Sequence, residues 1–199
     1  MNEQKVYILL TDTGTLFTKM IKLYTRKLYN HASISIDPNF SEVYSFGRKR
    51  PKNPFIGGFV KEDIQAGLLE QARCAIYSCT VSETQIQKAH DYLQKIDEQK
   101  HNYRYNFLGL FAIAFKKQLK RKNAFFCSQF VATVLKESGI IDFEKALSLV
   151  TPHDLENVAG FELVYQGELS NFDAETNNTV HIVTSKDTLP IDIGTMTVQ

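Results

Sequence analysis

The sequence has few of the features that mark membrane, secreted or nucleic-acid-binding proteins. Its longest apolar run covers residues 107–115, far short of the roughly 18 residues that span a bilayer. No basic segment followed by a long apolar stretch marks a secretion signal at the start, so we expect a cytoplasmic protein. The formal net charge is only +1, so no overall field favours nucleic acid as a partner.

Cysteine is scarce as well, and the number and spacing of the cysteines argue against a disulfide framework and against a metal site formed by Cys74 and Cys79. The three cysteines are an odd number and form no disulfide framework. Cys74 and Cys79 lie in a strand-like run, where an offset of five places them on opposite faces. They cannot hold a metal together there, and we interpret both as core or near-core thiols. No metal-binding or nucleotide-binding motif occurs elsewhere, so no cofactor is expected.

The remaining pattern predicts a single α+β domain over residues 1–167. A continuous apolar run at residues 6–10 is typical of a buried strand, and residues 161–165 predict the last strand of the domain. Helical patterns lie between them, so we expect a small, mostly antiparallel sheet packed against helices. Residues 168–199 are rich in Asn, Asp, Ser and Thr, which predicts a polar appendage that is partly disordered.

A helix is predicted within residues 123–139, with Cys127 in its first turn. Apolar residues recur at the spacing of one helical face: Phe130, Val131, Val134 and Leu135. Gly139 then provides a typical helix end. The unpaired N–H groups and positive dipole of a helix N-terminus favour thiolate over thiol, so Cys127 is a candidate nucleophile. The alternative interpretation is a small buried apolar residue.

Residues 31–37 predict a strand that begins with a histidine. Polar and apolar residues alternate, with His31, Ser33 and Ser35 on one face and Ala32, Ile34 and Ile36 on the other. His31 therefore lies on the polar face of the strand. A histidine in that position either faces solvent or lines a cleft.

The return strand of a hairpin is predicted after a turn at residues 38–40. Glu42, Tyr44 or Ser45 could then lie beside His31 and orient its ring. The turn length is uncertain by one residue, and a one-residue slip exchanges the facing set. Both the face with Glu42 and Tyr44 and the face with Ser45 therefore stay open.

Basic residues cluster in two places, residues 48–52 and the run from Lys116 to Lys122. The first cluster falls within residues 47–58, where Pro51, Pro54 and paired glycines predict a loop. The simplest interpretation of both clusters is a solvated surface. The alternative, for the run from Lys116 to Lys122, is a weak contact with anionic lipid.

A cysteine at a helix N-terminus and a histidine on a strand are typical of papain-type enzymes. Here His31 precedes Cys127 by 96 positions, which is the order of circularly permuted papain folds. The similarity rests on four short stretches: His31-Ala-Ser-Ile, Tyr105-Asn106, Phe126-Cys127-Ser128-Gln-Phe-Val and Thr151-Pro152-His-Asp154-Leu155. Together they resemble the permuted NlpC-type cysteine hydrolases, in the branch often called YiiX-like.

The resemblance implies a cysteine amidase or peptidase that works through an acyl-enzyme intermediate. In it, Cys127 would be the nucleophile, His31 the general base and Tyr105 a site tyrosine near the oxyanion. The residue that orients His31 would be Glu42 or Ser45, on the strand after the histidine.

Two other functions remain open on the same residues. One is an acyltransferase or lipid hydrolase that uses the same dyad. The other is a non-catalytic binding domain with a degenerate site. The substrate is expected to be a peptide, an amide or another acyl compound, and the sequence does not predict the oligomeric state.

Overall fold

The centre of the molecule is a seven-stranded sheet, and all but one of its strand pairings are antiparallel. The computed structural model describes residues 3–14, 27–50, 53–67, 69–106, 109, 121–172 and 181–182. The sheet strands are β1 (Gln4–Asp12), β2 (His31–Ser35), β3 (Val43–Arg50), β4 (Asn53–Glu62), β5 (Arg73–Val81), β8 (Glu162–Glu168) and β9 (His181–Ile182), in the order β4-β3-β2-β1-β5-β8-β9. The pair β6 (Arg104–Tyr105) and β7 (Ala124–Phe125) forms a separate parallel ladder. The basic run as far as Lys120, and most of the predicted appendage, lie outside the described residues.

Three α-helices are described in this part of the chain: α1 (Glu83–Glu98), α2 (Cys127–Glu137) and α3 (Pro152–Glu156). Capping boxes begin α1 at Ser82 and α3 at Thr151, where each N-cap hydroxyl accepts a backbone N–H bond. The expected α+β class with a mostly antiparallel sheet is therefore confirmed. Among the described residues, no helix is long and apolar enough to cross a membrane.

Helix α2 packs against β2 and β3, so the cysteine-bearing helix contacts the histidine-bearing strand. Its apolar face is fully buried, as the spacing predicts. The ring of Phe46 on β3 meets Phe130 of α2 at a centroid distance of 5.0 Å, and it also contacts Phe125 at 5.1 Å. This aromatic packing fixes the start of α2 relative to the sheet.

The opposite sheet surface is covered as well, which explains the continuous apolar sequence of β1. A second core cluster contains Leu9 of β1 and Ile76 of β5. Leu169 belongs to this cluster and is 3% exposed, and Phe172 packs against it. The packed part of the chain thus continues through Phe172, beyond the expected domain boundary at residue 167.

The loop predicted for residues 47–58 is instead most of a β-hairpin. Strand β3 continues to Arg50, and β4 begins at Asn53. Proline is tolerated in β4 because, among the described strands, this one is at the edge of the sheet and pairs with β3 alone. Gly57 is required for close packing, since a β-carbon there would lie 2.7 Å from both the carbonyl oxygen of Gly47 and Cβ of Tyr105. The proline and glycine residues that predict a loop are therefore compatible with strand β4, and Gly57 is needed for its packing.

Candidate functional site

His31 is paired with a carboxylate that comes from the end of β4. Nε2 of His31 lies 2.7 Å from Oε1 of Glu62, and the two side chains are only 15% and 13% exposed. The histidine opens β2, and the glutamate closes β4, two strands away in the sheet. The pair therefore depends on the β3–β4 hairpin that lies beside β2.

Two buried serines hold the carboxylate of Glu62 in place. Ser45 donates a hydrogen bond of 2.7 Å to Oε1, and Ser33 donates one to Oε2. Both serines are fully buried. The polar face of β2 is thus not a solvent-facing surface, because its hydroxyls are used inside the protein. Together with His31, these bonds fix the carboxylate in one orientation.

Cys127 is the first residue of α2, and its thiol interacts with the imidazole of His31, whose pKa it raises. Since Nε2 of the ring faces Glu62, Nδ1 is the nitrogen left for the thiol. The N-cap residue, Phe126, provides no side-chain bond to the first turn. The backbone N–H groups of the first turn of α2 therefore lie beside Cys127 without a capping side chain from Phe126. Cys127 itself is 3% exposed.

The electrostatics of the site favour a charged His31. Burial alone lowers the pKa of His31, but the negative charge of Glu62 and the hydrogen bonds with Cys127 and Glu62 outweigh it. The resulting pKa is well above the ordinary value of 6.5. For Glu62, burial raises the pKa, yet His31 and the two serines bring it below its ordinary 4.5. The geometry therefore stabilises an imidazolium–carboxylate pair.

These shifts predict how stability depends on pH. The raised pKa of His31 contributes stability that is complete below about pH 6.5 and is lost as the pH rises through the folded-state pKa. The lowered pKa of Glu62 contributes stability that is complete above about pH 4.5 and is lost as the pH falls through its folded-state pKa. We expect the pair to stabilise the protein most between these two values.

Urea unfolding from pH 5.5 to pH 9 measures this contribution. The free energy of unfolding of the wild type should decline across that range more steeply than that of His31→Gln. His90→Gln is the matched control, because the side chain of His90 is 54% exposed on α1. Equal declines in wild type and His31→Gln would contradict the prediction.

Of the two residues expected to orient His31, Ser45 lies in the site and Glu42 does not. Ser45 belongs to the site through Glu62, as described above. Glu42 is bound instead by Lys61 at 2.7 Å and by the hydroxyl of Tyr44 at 3.0 Å, and its side chain is 42% exposed. The β2–β3 register explains this placement, because Ser35 pairs with Val43 and the side chains alternate from there.

His153, on α3, is separate from this group of residues. Its side chain is 43% exposed, and its Nδ1 lies 2.9 Å from Oε2 of Glu156 on the same helix. The capping arrangement at Thr151 and Asp154 accounts for the local sequence there without catalysis. The described contacts therefore link His31, and not His153, to Cys127.

Tyr105 lies on β6, beside the segment that leads into α2. It pairs with Phe125, two residues before Cys127, and it is partly buried. The next residue, Asn106, is fully buried, and its N–H donates a bond of 2.7 Å to the carbonyl of Phe125. The two-residue stretch singled out in the sequence is therefore attached directly to the start of the cysteine helix.

Glu62 is the residue of this group that sequence reasoning missed. It follows a stretch rich in glycine and proline, which the pattern assigned to a loop. The sequence signal for Glu62 is weak, because it consists only of two apolar residues at 59–60 followed by two charged residues at 61–62. Only the hairpin register brings it to Ser45 and His31.

The other two cysteines have different surroundings from Cys127. Cys74 is fully buried in the second core cluster, and burial raises its pKa to about 12. Cys79 is partly buried, and burial raises its pKa as well. Within the described part of the chain, no group of three or more acidic, cysteine or histidine side chains could hold a metal ion.

Comparison with known proteins gave no relative: no family model, no curated protein and no solved structure matches the chain.

Proposed function

We propose that this protein is a cysteine-dependent hydrolase that cleaves an amide or peptide bond through Cys127, His31 and Glu62. The observation that carries the proposal is the 2.7 Å hydrogen bond between His31 and the buried carboxylate of Glu62, together with the thiol of Cys127, which interacts with the same imidazole and raises its pKa. Nucleophile, base and orienting group thus act on one another, which is the arrangement that activates a weak nucleophile.

In the first step, the proton of the Cys127 thiol moves to Nδ1 of His31, which produces the charged imidazole that the site stabilises. The thiolate attacks the carbonyl carbon of the substrate, and the carbonyl π electrons move to the oxygen. The backbone N–H of Cys127, in the first turn of α2, is one donor available to this oxyanion. Glu62 stabilises the imidazolium meanwhile, because its carboxylate accepts the hydrogen bond from Nε2–H.

In the second step, the C–N bond breaks and the imidazolium gives its proton to the leaving amine. A thioester on Cys127 remains. His31 then removes a proton from a water molecule that attacks the thioester, and the departing thiolate takes a proton back from the imidazolium. The products are an amine and a carboxylic acid, and the free enzyme is restored.

The order of the site residues along the chain supports a permuted papain-like arrangement. The histidine strand precedes the cysteine helix, and the two elements pack together. We propose membership of the permuted NlpC-type cysteine hydrolases on this basis and on the short stretches they share with this sequence. An acyltransferase or lipid hydrolase would use the same three side chains, and a basic cleft beside the site favours it as the second candidate.

The alkylation rate of each cysteine, measured by mass spectrometry against pH, tests the proposal. Cys127 should react with iodoacetamide faster than Cys74 and Cys79 between pH 6 and pH 7, because only its thiol has a basic partner. In His31→Ala the rate at Cys127 should fall by about tenfold or more, as expected for a lost general base.

Cys74 and Cys79 serve as internal controls in each sample. They should keep their slow rates in His31→Ala, which would show that the fold is intact. If Cys127 reacts no faster than Cys79, and His31→Ala changes nothing, the enzyme proposal fails. The domain would then be a binding module with a degenerate site.

A further inference from the structure

A cleft of about 580 Å³ lies beside the proposed active site. Its lining residues come from β3, β4, the segment 102–105 and the segment just before α2: Lys49, Gly57, Asn102, Arg104, Tyr105, Arg121, Lys122, Asn123 and Ala124. A cavity of this size is typical of small-molecule sites, which span roughly 300–1,000 Å³.

Two glycines connect the cleft with His31. A β-carbon at Gly47 would lie 3.6 Å from Cε1 of His31, and one at Gly57 would lie 2.7 Å from the Gly47 carbonyl oxygen. Gly57 lines the cleft, and its neighbour there is Tyr105. Gly57 in the cleft wall therefore packs against Gly47, and Gly47 packs against the imidazole of His31.

The charge of the cleft is entirely positive. Four of its side chains are cationic: Lys49, Arg104, Arg121 and Lys122. No acidic residue is among those that line it, and none of the four forms a salt bridge with another described residue. Cations that converge on a concave surface without a counter-charge attract anions.

The side chains also have the chemistry that binds oxyanions. Each arginine presents a planar fork of N–H donors that matches two oxygens of a phosphate or carboxylate. Lys49 passes over β4, with its Nζ 3.3 Å from the position that a β-carbon of Gly58 would occupy, and its ammonium lines the cleft. The amides of Asn102 and Asn123 add neutral donors.

We propose that this cleft binds an anionic group of the substrate, a phosphate or a carboxylate, at a distance from the bond that is cleaved. The inference rests on the proposed function, since it assigns substrate specificity to the same active site. The anionic group can belong to a soluble acyl compound or to a lipid headgroup, and both supply the same oxygens.

The first arm of the test measures binding without any chemistry at Cys127. Inorganic phosphate is titrated calorimetrically into Cys127→Ala protein at constant ionic strength. It should bind Cys127→Ala, and it should bind at least about tenfold more weakly once Arg104→Gln and Arg121→Gln are added, because two forked donors are lost. Lys88→Gln with Lys95→Gln removes the same charge from α1, away from the cleft, and should leave binding unchanged.

The second arm connects the cleft with the thiol. Iodoacetate carries a carboxylate and iodoacetamide does not. The rate of iodoacetate at Cys127 divided by the rate of iodoacetamide therefore reports the attraction of an anion to the cleft. Arg104→Gln with Arg121→Gln should lower this ratio by roughly threefold to tenfold, the size expected for a charge some ångströms away. Lys88→Gln with Lys95→Gln should keep the wild-type ratio, and added phosphate should lower the ratio in the wild type.

A third arm identifies the source of the anion, with vesicles of phosphatidylcholine alone or mixed with phosphatidylglycerol. Binding that requires phosphatidylglycerol and both arginines assigns the group to a lipid headgroup, whereas phosphate binding without vesicle binding assigns it to a soluble compound. The cleft proposal is overturned if phosphate binds no more weakly to the arginine variant. A slow Cys127 with intact phosphate binding would overturn the hydrolase proposal but not the anion site.

Discussion

Glu62→Gln should slow the reaction of Cys127 with iodoacetamide at pH 6 by about 10- to 100-fold. The substitution keeps the shape of the side chain. An amide oxygen in the Oε1 position can still accept the bond from Ser45, and the amide nitrogen can donate to the hydroxyl of Ser33. It removes the negative charge that raises the pKa of His31. With a lower pKa, His31 holds the proton of the thiol less well at pH 6, so the reactive thiolate forms less readily.

The loss should be smaller at pH 9, because the charge of Glu62 acts by raising the pKa of His31, and this matters less as the pH rises through that pKa. This pH dependence separates an electrostatic role of Glu62 from a structural one, which would lower the rate at every pH. Glu42→Gln is the informative comparison, since Glu42 is bound to Lys61 and Tyr44. A larger loss in Glu42→Gln than in Glu62→Gln would contradict the assignment.

Phe46→Ala should lower the free energy of unfolding by about 3–5 kcal/mol, the usual cost of removing a buried phenylalanine ring. Phe46 is fully buried, and its ring contacts the rings of Phe59, Phe125 and Phe130. Neighbouring strands and the cysteine helix meet at this side chain. The loss is a large share of the 5–15 kcal/mol that stabilises a typical domain.

Urea denaturation followed by circular dichroism measures this loss. Leu28→Ala is the matched control, because Leu28 is an apolar side chain that is 49% exposed and should contribute less than about 0.5 kcal/mol. Phe46 lies between Ser45 and Gly47, so a folded Phe46→Ala protein should also show slower alkylation of Cys127. A loss below about 1 kcal/mol would mean that the aromatic cluster repacks around the cavity.

The parts of the site that sequence reasoning found are those with a local signal. The apolar spacing of α2 and its glycine end place Cys127 in the first turn without any tertiary information. The alternation of residues 31–36 likewise places His31 on the polar face of a strand. Both assignments depend only on periodicity within one element, and the structure has both elements.

Glu62 could not be found in this way, because its position depends on pairing between strands. Proline and glycine within residues 47–58 are typical of loops, yet an edge strand needs hydrogen bonds on one side only, and close packing beside Tyr105 requires glycine. The choice between Glu42 and Ser45 as the residue beside His31 could not be made from the sequence for the same reason. It depended on the register of one hairpin, which a single residue in the turn decides.

The candidate site is assembled from three segments that are distant along the chain, at residues 31, 62 and 127. An unfolded chain cannot hold them together, so all three thiols should then react at similar rates. In the native state we expect Cys127 to react fast because it interacts with His31, while Cys74, whose pKa burial raises to about 12, should react slowly. Unfolding therefore changes the two reactivities in opposite directions, and the labelling ratio of Cys127 to Cys74 measures the folded fraction of the sample, with Cys74 as an internal reference.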